Sequence, residues 1–185
     1  MDFMELMASR HSVRDFLPDP IPDEVLNEIL EAGRLAPSSQ NRQPWRYVVL
    51  KDPEQIKKMS LNSGLLGLSN LFIRKAPCLI AACADSSKGL RVNAQDYYLV
   101  DVAISVQQMV LAAWNRGVGS CWMAAYNEKA VKKYLDLPKS WRVVAMLPFG
   151  YPAEKKTVYG KALSFFPGSK NRLPLEKIVR YFGEH

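Results

Sequence analysis

The chain has 185 residues, of which 48% are apolar and 23% charged. That is enough for one domain spanning 1–185 with a core of its own, and the composition excludes a disordered chain. A formal charge of +7 and an isoelectric point near 9.3 favour an anionic ligand. The cations are scattered and carry no zinc-finger or basic-helix motif, so a phosphorylated small molecule is expected and nucleic acid is not. Three cysteines without ligand spacing and only two histidines argue against a metal site and for buried free thiols. The stretch Met1-Asp2-Phe3-Met4-Glu5 is acidic, unlike a secretory leader, and no apolar run is long enough to span a membrane. A reducing cytoplasm is the expected setting.

In chain order, Phe3, Leu6 and Met7 have the spacing of a short first helix. Pro22, at a first helical position before Asp23 and Glu24, opens a second helix. It buries Val25, Leu26, Ile29 and Leu30 and ends near Gly33. Arg46–Leu50 reads as a strand, and Glu54–Met59 as a short amphipathic helix. Cys78–Ala84 is a continuous apolar run, as expected of a strand buried on both faces. From Tyr97 to Trp114 the residues Leu99, Val102, Val106, Met109, Val110 and Ala113 recur at helical spacing. Ala103 and Ala112 are small enough to admit another helix, and Gly117 suits the C-terminal cap. Gly119–Met123 reads as a short strand, Glu128–Leu135 as a helix and Trp141–Gly150 as another buried strand. Leu175–Phe182 has a helical period and could also run on as a tail. Helices and strands do not alternate regularly. The expected fold is therefore an α+β three-layer sandwich, a mixed and mainly antiparallel sheet between helices.

Two segments carry chemistry. In Ser9-Arg10-His11-Ser12-Val13-Arg14, the residues Arg10, Ser12 and Arg14 alternate, so an extended backbone projects them to one side. Two guanidinium forks flanking a hydroxyl suit a phosphate. Ala36-Pro37-Ser38-Ser39-Gln40-Asn41-Arg42-Gln43-Pro44-Trp45 is a polar, Pro-bounded loop that follows a helix. No nucleophile elbow, HExxH, P-loop or complete GxGxxG is present. A lone His11 in a basic turn reads as a hydrogen-bonding residue, and Asp96, Asp101 and Glu128 read as caps or ion-pair partners. A chain without evident acid, base or nucleophile leaves the chemistry to a cofactor.

The order and spacing of these segments resemble the nitroreductase family. The resemblance implies a homodimer with FMN at the subunit interface. It places Arg10, His11, Ser12 and Arg14 at the phosphate and ribityl chain, and brings Pro37, Ser38, Ser39 and Asn41 to the flavin from the neighbouring subunit. It adds Asn70 near the flavin, backbone amides around Ala124 and Ala125 at flavin N5, and Lys170 and Arg172 as a basic pair over the phosphate. Phe149-Gly150-Tyr151-Pro152 matches a Gly-Tyr-Pro that follows the last core strand. Several members carry Glu-Gly where this chain has Ala124-Ala125. The implied activity is ping-pong hydride transfer from NAD(P)H through flavin N5 to electron-poor acceptors such as nitroaromatics or quinones. The alternatives are other flavin chemistry on this fold, reductive dehalogenation or flavin fragmentation, or a non-catalytic nucleotide- or nucleic-acid-binding domain.

Overall fold

The computed structural model of the protein describes residues 2–62, 70–153 and 171–183. Five helices lie among them: α1 (Phe3–Ser9), α2 (Asp23–Arg34), α3 (Pro53–Asn62), α4 (Tyr98–Asn115) and α5 (Glu128–Tyr134). The strands are β1 (Trp45–Leu50), β2 (Cys78–Asp85), β3 (Arg91–Val92), β4 (Gln95–Asp96), β5 (Gly119–Ser120) and β6 (Trp141–Gly150). Four form one sheet in the order β1-β2-β6-β5, with all neighbours antiparallel. The parallel component of the expected mixed sheet is a single bridge between Ser12 and Ser120.

The centre of the sandwich is β2. Its residues Cys78 to Ala84 are at most 2% exposed. Because successive side chains point to opposite faces, Cys78, Ile80, Ala82 and Ala84 pack with Leu26, Ile29, Val102, Val106 and Met109 of α2 and α4. Leu79, Ala81 and Cys83 pack with Ile56 and Met59 of α3 and Val131 of α5 on the other side. The three layers follow, and the fold is the expected α+β sandwich. All three cysteines are free and buried. Burial pushes the Cys78 and Cys83 thiols up to about 12. No described helix is long and apolar enough to cross a membrane.

Several local expectations need correction. Pro22 sits just outside α2 with an extended ψ of 144°, its carbonyl accepting the first helical bond from Leu26. The helix runs one residue past Gly33, to Arg34. α2 and α4 approach closely at Gly33, where a Cβ would lie 2.7 Å from Met109 Cγ. Leu99 is 47% exposed, beside the exposed Val100 and Ile104, so the apolar spacing of α4 covers more than its buried face.

The strand expected over Gly119–Met123 keeps its register, since Ser120 faces Phe149 and Met123 faces Met146. It is interrupted opposite Pro148, which has no N–H to return to Cys121. At Leu175–Phe182 only one turn of 3-10 helix forms, over Leu175–Lys177, because no described surface covers its side chains. A β3–β4 hairpin, turning on Asn93 and Ala94 at positive φ, was not anticipated.

Glu128 binds Arg142 through both oxygens, at 2.8 and 3.1 Å, and accepts the Val143 N–H at 3.0 Å. Its hydrogen bond to Arg142 holds the carboxyl below its ordinary value of 4.5. The stabilisation is therefore complete above about pH 4.5 and is lost as pH falls through the depressed value. Glu128→Gln should lower stability at pH 7 by about 1 kcal/mol. The gap from the parent should close in acid, as read by urea midpoints across pH. Gly119 lies against Val13, and a Cβ there would sit 2.5 Å from Val13 Cγ2. Gly119→Ala should cost about 1–3 kcal/mol by forcing the two strands apart, read by thermal denaturation.

Candidate functional site

An Asp2–Glu5 capping box starts α1, and the helix ends at Ser9. The chain then runs extended beside the sheet. Val13 N–H donates to Ser120 O at 2.8 Å, Leu17 N–H to Tyr151 O at 2.9 Å, and Ala153 N–H to Asp15 O at 3.1 Å. This docking buries Val13 and leaves Ser12 exposed and Arg10 and Arg14 half-buried, as the alternation requires.

Arg10, Ser12 and Arg14 lie in the neighbourhood of the Cys121 thiol just beyond β5. Burial raises the pKa of that thiol, opposed by the nearby charge of Arg14, by the Ser12 hydroxyl and by the charge of Arg10. Among the described residues, neither guanidinium has a carboxylate partner. Two such cations around one hydroxyl form a site for an anion.

The ring of His11 packs against the end of α4. It meets Trp114 edge-on with centroids 4.8 Å apart, and its Nδ1 lies 3.1 Å from Ser9 O. A carbonyl only accepts, so Nδ1 carries the proton of the neutral ring. Trp114 Nε1–H donates to Ser9 Oγ at 3.0 Å, which braces the turn from the end of α4.

The Pro37–Trp45 loop connects α2 to β1. Ser38 Oγ accepts the Gln43 N–H at 2.9 Å, and Asn41 Oδ1 accepts from Gln43 Nε2 at 3.0 Å. The backbone N–H groups of Asn41 and Arg42 return to Ser38 O and Ser39 O. Gln40, Asn41 and Gln43 have φ of 53°, 53° and 48°. Each such non-glycine residue costs roughly 1–2 kcal/mol, and the conformation persists only where the surroundings impose it. The imposing contact is Asp101 of α4, which is 1% exposed. Its Oδ1 accepts both the N–H and the hydroxyl of Ser39, at 2.8 and 2.9 Å, while its buried Oδ2 has no partner among the described residues. Pro37 is exposed beside this network.

Sequence reasoning assigned Asp101 to a cap or ion pair and missed this function. The signal was available: Asp101 and Ser105 fall on the same helical stripe as Val102, Val106 and Met109, where a carboxylate needs a special partner.

Asn70 and Ala125, distant in sequence, meet directly. Asn70 is 2% exposed and donates through Nδ2 to Ala125 O at 2.9 Å. Met123 and Met146 exchange backbone hydrogen bonds at 3.0 and 3.1 Å, and the chain then leaves the sheet. Ala124 and Ala125 are exposed, and their N–H groups find no acceptor among the described residues. Ala124 is three residues from Cys121, so at most about 10 Å of chain separates it from the basic cluster.

Lys170 lies outside the described residues. Arg172 is exposed and donates to the neighbouring Asn171 carbonyl at 3.0 Å. A separate groove of about 700 Å³ runs between α2 and β1, lined by residues including Leu30, Arg34, Trp45 and Tyr47. No expected site residue lines it. The described residues include no cluster of three metal-ligating side chains.

A protein of Archaeoglobus fulgidus, provisionally named NADH dehydrogenase/NAD(P)H nitroreductase, is 31% identical over 91% of this chain and 96% of its own length. The 5,6-dimethylbenzimidazole synthase of Rhodospirillum rubrum is 29% identical over 83% of each chain. A Clostridium difficile structure described as an FMN-dependent nitroreductase superposes with a TM-score of 0.78 at 24% identity, covering 98% of this chain and all of that one. The model of the nitroreductase family matches residues 7–64 and 62–151, a span that holds the basic turn, the Ser38–Asn41 loop, Asn70 and the Ala124–Ala125 amides, and the chain belongs to that family of enzymes.

Proposed function

We propose that the protein is a homodimeric FMN-dependent oxidoreductase that passes hydride from NAD(P)H to small electron-poor acceptors. The observation that carries this reading is the placement of Arg10, Ser12 and Arg14 around Cys121, without carboxylate partners among the described residues, a short stretch of chain from two open backbone amides. A flavin mononucleotide needs such a pair of features, cations for its phosphate and a donor for its ring. The names of the Archaeoglobus and Clostridium relatives supply the same two parts, NAD(P)H and FMN.

In this reading Arg10 and Arg14 hold the phosphate through charge-assisted hydrogen bonds, and Ser12 adds its hydroxyl. His11 keeps the turn in shape through Ser9 and Trp114. Ser38 offers a hydroxyl proton, because its oxygen already accepts from Gln43 N–H. Asn70 fixes the Ala125 carbonyl and so orients the adjoining peptides. Ala124 and Ala125 direct their N–H groups to where negative charge develops on the reduced ring. FMN held there would supply the two-electron redox chemistry, and the residues of the chain bind and orient it. Lys170 and Arg172 complete the phosphate site.

The dimer rests on apolar surface that the protomer leaves uncovered, including Leu99, Val100 and Ile104 on one side of α4 and Phe3 and Met4 on α1. A two-fold interface is the commonest way to bury it. It would bring the Pro37–Asn41 loop of one subunit to the flavin of the other. Three buried free thiols suit a reducing cytoplasm. The Rhodospirillum relative's name favours one second reading, a flavin enzyme of this family with different chemistry. Steady NAD(P)H oxidation with nitroaromatics or quinones supports the first reading over it. A colourless protein that FMN does not reconstitute removes both.

FMN should bind at least about tenfold more tightly than riboflavin, since one charge-assisted hydrogen bond contributes roughly 1.5–3 kcal/mol. Fluorescence titration of both ligands checks this, and equal affinities refute the phosphate assignment. Arg14→Ala should lower flavin occupancy, and His11→Ala should leave turnover per bound flavin within about tenfold of the parent. A loss of about 10²–10⁴-fold for His11→Ala at full flavin content would mark it as an acid–base group. Light scattering should give a dimer, and a fully active monomer with tight FMN would contradict the shared site.

A further inference from the structure

The helix α4 touches the connection between α2 and β1 at three points through two side chains one turn apart. Asp101 takes the N–H and hydroxyl of Ser39 in the middle of the loop. Ser105 Oγ–H donates to Gly33 O at 2.6 Å, at the end of α2. That spends the Ser105 proton, so Tyr47 of β1 donates its phenolic hydrogen to Ser105 Oγ. Tyr47 remains a donor across the neutral range, because burial raises its pKa. The start, middle and end of the connection are thus fixed to one rigid element. The segment between them includes Gln40 and Asn41, consecutive non-glycine residues at positive φ.

The two serines of the loop consequently have different hydrogen-bonding capacity. Ser39 has committed its hydroxyl proton and its N–H to Asp101. Ser38 accepts from Gln43 N–H, and its own proton has no acceptor among the described residues. Ser38 is the residue able to donate to a ligand, and Ser39 is the tether.

We infer that Asp101 is a positioning residue for the flavin, acting through Ser39 to keep the Ser38–Asn41 loop in the one strained shape that presents Ser38 to the cofactor. This rests on the FMN reading above. A loop held in its binding conformation before the ligand arrives does not have to be ordered on binding. Without the tether, Gln40 and Asn41 relax to unstrained backbone and the Ser38 hydroxyl is no longer fixed in place. The acceptor at Oδ1 is the active feature, so the charge is dispensable.

The test is a double-mutant cycle on the full-length protein, with dissociation constants for FMN and riboflavin read by fluorescence quenching. Parent FMN binding is measured first. If the parent does not bind FMN, the functional reading has failed. If it does, the remaining results judge the inference alone. Asp101→Ala should weaken FMN and riboflavin binding alike, by about tenfold, and so preserve the preference for the phosphorylated ligand. Arg14→Ala should erode that preference. Ser39→Ala should weaken FMN about threefold in the parent and have no further effect in Asp101→Ala. Asp101→Asn, which keeps an acceptor for both Ser39 donors, should bind FMN within about threefold of the parent.

Additive effects of Ser39→Ala and Asp101→Ala would overturn the inference, because the carboxylate would not be acting through Ser39. So would a loss for Asp101→Asn as large as for Asp101→Ala. Should Asp101→Ala fail to fold, Ser39→Ala and Asp101→Asn still decide: unchanged FMN affinity in Ser39→Ala, or a tenfold loss in Asp101→Asn, rejects it.

Discussion

The sandwich depends on one strand having no exposed face. In β2 every residue from Cys78 to Ala84 is buried, with bulky Ile80 toward one helical layer and Leu79 toward the other. Ala81, Ala82 and Ala84 keep the strand thin, so helices can lie close on both sides. A strand covered twice requires an amphipathic layer above and another below, and hydrogen-bonded neighbours on both edges, here the antiparallel β1 and β6. The loops carrying polar chemistry are left to the ends of this assembly. The Asp85 N–H, at the end of β2, donates to Pro44 O and secures the loop that began at Pro37.

The site built on that frame relies on backbone and on paired cations more than on titrating side chains. Arg10 and Arg14 come from an extended segment docked on β5, and the open amides come from the chain just beyond it. Asp101, Ser105, Asn70 and Trp114 make no ion pair among the described residues, yet each holds a loop or turn to a rigid element. A group that binds and orients can be built this way from residues that look unremarkable singly. Chemistry of hydride transfer does not demand a perturbed acid or base from the protein.

Much of this was legible in the sequence, for reasons that differ by element. Cys78–Ala84 and the Val102–Ala113 stripe are long and strongly periodic, and burial follows directly from such patterns. The alternation of Arg10, Ser12 and Arg14 predicted a common side because an extended chain permits little else. The Leu175–Phe182 helix did not form, since a periodic apolar pattern without a surface to cover gives little helix. The break at Pro148 and the Asn93–Ala94 hairpin depend on a single missing donor and a single turn type, and a short window hides both. Asp101 was misjudged because its partner, Ser39, lies 62 positions away. The Asn70–Ala125 contact, 55 positions apart, was not foreseen, since family resemblance placed each residue near the flavin without joining them.

The three cysteines have a bearing on how the protein would survive the quinones and nitroaromatics proposed as its acceptors. Quinones and nitroso products are electrophiles that attack thiolates. At pH 7 a thiol with a pKa near 12, as in Cys78 and Cys83, is ionised in only about one molecule in 10⁵. Both residues are also packed inside the sheet, and Cys121 is covered beside the basic turn. The thiols of the chain are thereby withheld from such electrophiles, a protection that a tightly filled core would give if the proposed acceptors are its substrates.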